Sequence, residues 1–203
     1  KTLADSSGLN LVTNTGYYAA ADDRYVPDFA YAETYRQLAQ RWIDEFENGI
    51  DDTGIRPGFV KLAFDGGTPS AIDKKLFQAG ILTHKETGLT LAVHTGNNPE
   101  AAHWQLQALE ITGVHPSAWI WTHANQVETA EPLLEAARSG AWISLDGARG
   151  DALEKHVEFL KTFKAEGYLT QVLLSHDGNS FPRGGAIRPY EEILTSLLPR
   201  LRA

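Results

Sequence analysis

Six short apolar runs recur along the 203 residues: "LNLVTNTG", "GFVKLAFDGG", "LTLAVHTGN", "AWIWTHAN", "AWISLDG" and "TQVLLSHDG". Each gives way to a segment of helical periodicity, and that alternation constrains the fold more than any other feature. The runs are β-branched or aromatic and nearly continuous in hydrophobicity, as parallel strands buried on both faces are. Their spacing of roughly 30 residues is that of a βα unit. Tyr35, Leu38, Ala39, Trp42, Ile43 and Phe46 form one apolar stripe ending near Gly49. A second helix follows Ser70, whose spacing to Asp73 resembles a capping box, and stops at Gly88. A third opens on Asn98 and Pro99 and closes at Gly113. Val127, Ala130, Leu133, Leu134 and Ala137 mark a fourth, closed by Gly140. Leu153, Val157 and Leu160 mark a fifth, closed by Gly167; the last runs from Pro189 through Leu194, Leu197, Leu198 and Leu201. No linker or charge block interrupts the series, so residues 1–203 read as one domain.

Two architectures fit alternating βα units, an open doubly wound sheet and a (β/α)8 barrel. A nucleotide-binding doubly wound sheet needs a glycine-rich turn after its first strand, and "TNTGYY" has a single glycine. Every strand instead ends in polar residues on its carboxyl side, where barrel active sites are built. The sequence therefore predicts an α/β TIM barrel, although only six of its eight strands are legible. A net charge of −8 argues against nucleic acid or an anionic membrane surface as partner. The absence of cysteine excludes disulfides, thiolate metal sites and cysteine nucleophiles. Position 1 is not methionine and "KTLADSSGLN" has no signal-peptide pattern, so the chain is expected to begin after processing, truncation or missing sequence. The compartment stays open.

Chemistry-bearing residues stand at successive strand ends: Lys61 in "FVKLAF", His94 in "LAVHTG", His123 in "IWTHAN" and Asp177 in "LLSHDG". A lysine inside an apolar strand is the oddest of them, because a lone buried ammonium costs several kcal/mol. Neutral imidazole and carboxylate together are a ligand set for zinc and similar divalent ions. A buried lysine beside such ions has one further option. It can react with carbon dioxide to give an anionic carbamate, which removes the charge and supplies a bridging ligand.

In order and motif, "VKLAFDGG", "HTGN", "THAN" and "SHD" resemble the phosphotriesterase-related branch of the amidohydrolase superfamily, from about Ser7 to the carboxyl terminus. The resemblance implies a (β/α)8 barrel with two divalent ions, most simply zinc, and a carbamate on Lys61. It implies that Lys61, His94, His123 and Asp177 are metal ligands, that Lys61 and Asp177 are catalytic, and that the visible strands are the third to the eighth. It places Tyr18 over the metals and Gly178 at the substrate pocket. The implied reaction is hydrolysis of an ester by a metal-bridging hydroxide, on a lactone or other carboxylic ester before a phosphotriester. The expected partner is then a small-molecule ester, with no nucleic acid or membrane, and a homodimer is compatible with the pattern. The chain also departs from the family. No H-x-H pair is present, Gly147 stands where many relatives have a relay histidine, and Gln126 replaces an acidic partner. By register the first two strands would lie upstream of Lys1, and a barrel without them should expose apolar edges and associate.

Blander readings stand beside each residue. Lys61 snorkels or pairs with Asp65, Asp177 caps a loop, and Tyr17 or Tyr18 is pocket-wall packing. Asp146 is expected to support the ligands from behind. His84, His103 and His156 read as solvated helix residues, His115 as part of the stability face, and Trp119 and Trp121 as core. Strand alternation turns His176 away from Asp177. A serine hydrolase lacks its G-x-S-x-G elbow here. A catalytically inactive barrel fragment or metal-binding module is the alternative from outside the enzymes.

Overall fold

The six apolar runs pair in chain order as one wholly parallel sheet: β1 (Asn14–Thr15), β2 (Phe59–Ala63), β3 (Thr90–His94), β4 (Trp119–Thr122), β5 (Trp142–Leu145) and β6 (Val172–Leu174). The computed structural model describes residues 2–178 and 190–202. Between and beyond the strands run α1 (Thr2–Ser7), α2 (Phe29–Ala32), α3 (Tyr35–Asn48), α4 (Ala71–Thr87), α5 (Pro99–Thr112), α6 (Glu131–Arg138), α7 (Leu153–Ala165) and α8 (Leu198–Arg202). Strand order decides between the two candidate architectures. A doubly wound sheet reverses its order at a switch point, whereas a barrel adds each strand beside the last. Here the order is sequential throughout.

Helix boundaries follow local chemistry. Thr34 with Gln37 and Ser70 with Asp73 form reciprocal capping boxes that satisfy the first orphan N–H groups of α3 and α4. Asn98 caps α5 by accepting from the Ala101 N–H, and Gly88 and Gly113 close α4 and α5 in the left-handed conformation. Pro132 stands in the first turn of α6, which starts at Glu131; Val127 is buried in the turn before it instead of opening the helix. The short α1 and α2 carry no stripe long enough to be read by periodicity, and Pro189 lies outside the described residues. The loop after β1 is strained. Ala21, Asp22 and Asp23 all have positive φ, at about 1–2 kcal/mol for each non-glycine residue.

In-register parallel pairing sorts the side chains into two faces. Val60, Leu62, Leu91, Val93, Trp119, Trp121, Ile143 and Leu145 point toward the helices and are fully buried. The opposite, concave face carries Lys61, Ala92, Ile120 and Trp142 in one row and Ala63, His94 and Thr122 in the next. Lys61, Ile120 and Trp142 on this face are only partly buried, so the core sits between sheet and helices.

Among the described residues β1 and β6 each pair on one side only. Apolar side chains stand exposed at both edges: Leu11 and Val12 beside β1, Leu173 in β6 and Leu194 before α8. Unpaired edges flanked by apolar surface drive association. The 203-residue chain alone is therefore expected to elute from size exclusion as oligomers or to aggregate; a compact, stable monomer would contradict this.

Candidate active site

The row of Ala63, His94 and Thr122 ends three adjacent strands, and the residues just past each strand build the site. His94 is the last residue of β3, and His123 succeeds β4 with a left-handed backbone (φ 60°) that turns its ring toward His94. The two imidazole centroids are 4.5 Å apart. Asp177, beyond β6 and also at positive φ, brings a carboxylate oxygen to 4.0 Å from His123 Nδ1. Lys61 comes up from the row below. Its ammonium donates to the Thr122 hydroxyl at 3.3 Å and lies 5.7 Å from the Tyr18 ring centre. Tyr18 in turn places its hydroxyl 3.0 Å from His94 Nδ1.

Electrostatics tune this cluster toward neutral donors. Burial pushes the Lys61 ammonium down to about 8, against the pull of Asp146 and Asp177. Burial, with His123 and Lys61 nearby, pushes His94 down to about 4, so its imidazole is neutral at physiological pH. The Tyr18 phenol is raised, first by burial and then by Asp177 and Asp65. Lys61 does not pair with Asp65, whose carboxylate is taken by the backbone N–H groups of Ala21 and Asp22.

Asp146, 5% exposed, organises the site from behind. One oxygen accepts the His123 N–H at 2.6 Å and lies 3.3 Å from His123 Nδ1. The other accepts the hydroxyls of Ser144 and Ser175, both at 2.7 Å. The Ser175 hydroxyl also accepts the Asp177 N–H, so one carboxylate steadies residues after β4, in β5 and after β6. A carboxylate facing Nδ1 favours the tautomer protonated there and leaves His123 Nε2 as the available donor.

His156 corrects the expectation of a solvated helix residue. It is fully buried, with its ring nitrogens 2.7 Å from the Ala152 carbonyl and 3.0 Å from the Asp146 carbonyl. The signal was present, since His156 lies on the same stripe as Leu153 and Leu160. His103 is exposed on α5, and His84 holds the Leu89 carbonyl. Thr122, the Lys61 acceptor, was also missed, although its parity with His94 places it on the concave face. His176 accepts from the Ile193 N–H and its ring meets Tyr190, away from the cluster. Tyr190 also fills the space a Cβ on Gly178 would occupy. Trp119 and Trp121 are core, and Tyr17 packs edge-on against Phe29 and Trp42.

The chemistry of the donor set fits a divalent ion: two imidazoles, a carboxylate and a desolvated amine. Among the described residues no three His, Cys, Asp or Glu side chains are grouped closely enough to hold a metal by themselves.

A sequential six-stranded parallel sheet backed by helices, with two histidines and an aspartate at its carboxyl rim and a lysine one row below, is the architecture of part of a (β/α)8 barrel. The chain belongs to the Phosphotriesterase family, whose sequence pattern matches residues 1–203. The phosphotriesterase homology protein of Escherichia coli is 28% identical over 202 residues, covering 97% of this chain and 68% of that protein. An aryldialkylphosphatase of Saccharolobus solfataricus is 26% identical, over 96% of this chain and 62% of its own length. An N-acetyltaurine hydrolase of Xenopus tropicalis is 24% identical, over 99% of this chain and 61% of its own length. The crystal structure of the Escherichia coli homology protein, with phosphate in its active site, superposes with a TM-score of 0.87 at 26% identity. That superposition covers 99% of this chain and 70% of the other.

The low His94 value has a consequence for stability. Between the unfolded value of 6.5 and about 4 the unfolded chain binds more protons, so stability falls as pH drops through that window. Urea midpoints of the metal-free protein are expected to decline as pH is lowered across it, and those of His94→Gln to decline less. Equal slopes would refute the assignment.

Asp146→Ala leaves two serine hydroxyls and the His123 N–H without their acceptor, at about 1–3 kcal/mol for a buried orphaned donor. Chemical denaturation is expected to show a loss in that range, with Asp146→Asn less harmful. A neutral result would show that the carboxylate is dispensable.

Proposed function

We propose that this chain forms the greater part of a metal-dependent hydrolase that cleaves an ester, a lactone or other carboxylic ester before an organophosphate triester. The observation that supports the reading is that His94, His123 and Asp177 approach one another at one end of the sheet, with Lys61 joined to that end through Thr122 and Tyr18, although the four lie far apart in the chain. The relatives named above as aryldialkylphosphatase and N-acetyltaurine hydrolase support hydrolysis and leave the bond open.

In this reading Lys61, His94, His123 and Asp177 hold divalent ions, with zinc as the favoured metal. When bound, such an ion would polarise the scissile group and lower the pKa of water toward about 7. His94 offers a lone pair because burial keeps it neutral. Lys61, brought down to about 8, has a neutral amine fraction that would add to carbon dioxide and release a proton to solvent, leaving a carbamate ligand in place of a buried cation. Asp177 accepts the proton released by the attacking water. Asp146 holds the His123 ring and the Asp177 backbone in place. Tyr18 lines the pocket above His94, and Gly178 with Tyr190 forms the wall beyond Asp177.

A second reading, a metal-binding module or inactive fragment, draws support from the lack of a three-residue His, Asp or Glu grouping among the described residues. Metal analysis and a lactone and ester panel on the protein containing this chain separate the two. Metal-dependent turnover that Lys61→Ala and Asp177→Asn each reduce by at least about 100-fold supports the hydrolase. Metal uptake without turnover supports the module, and neither property supports the inert fragment.

A further inference from the structure

The strained loop after β1 is held by a clamp. Ala21, Asp22 and Asp23 adopt left-handed φ values of 66°, 55° and 57° in succession, a conformation that persists only where surroundings over-determine it. What over-determines it is Asp65, just past β2. Its two carboxylate oxygens accept the N–H groups of Ala21 at 2.8 Å and Asp22 at 3.0 Å. Asp65 is itself anchored from the other side. The Asn98 amide, 5% exposed, donates to the Asp65 carbonyl at 2.9 Å and the Gly67 carbonyl at 2.8 Å while capping α5. The clamp therefore ties the loop to the segment just past β2 and to the cap of α5, in addition to the bridge that joins Tyr18 to Ala63.

The clamped loop carries an aromatic wall. Tyr18 is bridged to Ala63 and reaches His94, and the ring of Tyr25 meets Tyr18 edge-on with centres 6.2 Å apart. Tyr25 nevertheless remains 61% exposed, an aromatic face left to solvent next to Tyr18, which itself reaches His94. Asp22, Asp23 and the Asp65 that grips the loop outnumber its single cation, Arg24, so a negatively charged substituent is disfavoured there, whereas an uncharged apolar one can stack on the ring.

We infer that Tyr25 is a specificity-determining residue that takes an uncharged alkyl or aryl part of the substrate, and that Asp65 is the positioning residue that aims it. This rests on the hydrolase reading for its kinetic meaning and on the loop geometry alone for the clamp.

The test has two arms, both on the holoprotein. In hydrogen exchange, Asp65→Ala is expected to speed exchange of the Ala21 and Asp22 amides about tenfold or more, with the amides of β2 to β4 unchanged. Unchanged loop exchange overturns the clamp, and faster exchange throughout overturns its restriction to the loop. In kinetics, two esters sharing a leaving group are compared, one with a short and one with a long apolar acyl chain. Tyr25→Phe is expected to retain the preference for the long chain. Tyr25→Ala and Asp65→Ala are each expected to raise KM for the long ester about tenfold, with kcat within about threefold and the short ester unaffected. Equal losses on both esters, or loss in kcat alone, overturn the specificity role. No turnover of either ester by the unaltered protein overturns the hydrolase reading and the role of Tyr25 with it; the clamp is then decided by exchange.

Discussion

Parallel pairing without a register shift is the constraint on which the molecule depends. With a side-chain period of two, pairing Val60 with Leu91 and Val93 with Trp121 commits one whole face of the sheet to the helices. The same pairing leaves Lys61, His94 and Thr122 on the concave face, in rows of matching height. A slip of one residue would drive Lys61 into the layer now filled by Leu62 and Trp121 and expose those side chains instead. The burial of the apolar face thus holds the polar cluster in place, and the hydrophobic effect is the positioning force behind the chemistry.

At the rim a second device takes over, because strand geometry stops at His94, Thr122 and Leu145. His123 and Asp177 lie beyond the regular strands, in left-handed conformations that non-glycine residues adopt only under tertiary constraint. For His123 the constraint is Asp146, which engages both its backbone N–H and its ring. For Asp177 it passes through Ser175 to that same carboxylate. Buried carboxylates are costly unless their oxygens are satisfied, and here both oxygens are. The result is support from behind for a cluster whose other described neighbour is Tyr18, with Tyr25 beyond it.

The Phosphotriesterase family assignment and the superposition with the Escherichia coli structure agree with this geometry, and they also bound it. The chain spans between 61% and 68% of the curated relatives named above. Its concave face is correspondingly less covered than its helix face, as the part-burial of Ile120 and Trp142 records. His94 and Lys61 are shifted by burial even so.

Much was legible in the chain itself. Periodicity, capping boxes and glycine stops located α3, α4, α5 and α7 closely, because those signals act within a few residues and require no tertiary context. Polar residues at strand ends singled out Lys61, His94, His123 and Asp177 for the same reason, since a charge at the end of an apolar run is a local anomaly. What the sequence could not supply was direction and partnership. That Lys61 finds Thr122 while Asp65 turns to the Ala21 and Asp22 amides, that Asp146 serves three segments at once, and that His156 is buried behind it are outcomes of long-range packing. Such contacts join residues from different βα units, and no periodicity encodes them; only the folded sheet, which sets the strand ends side by side, selects each partner.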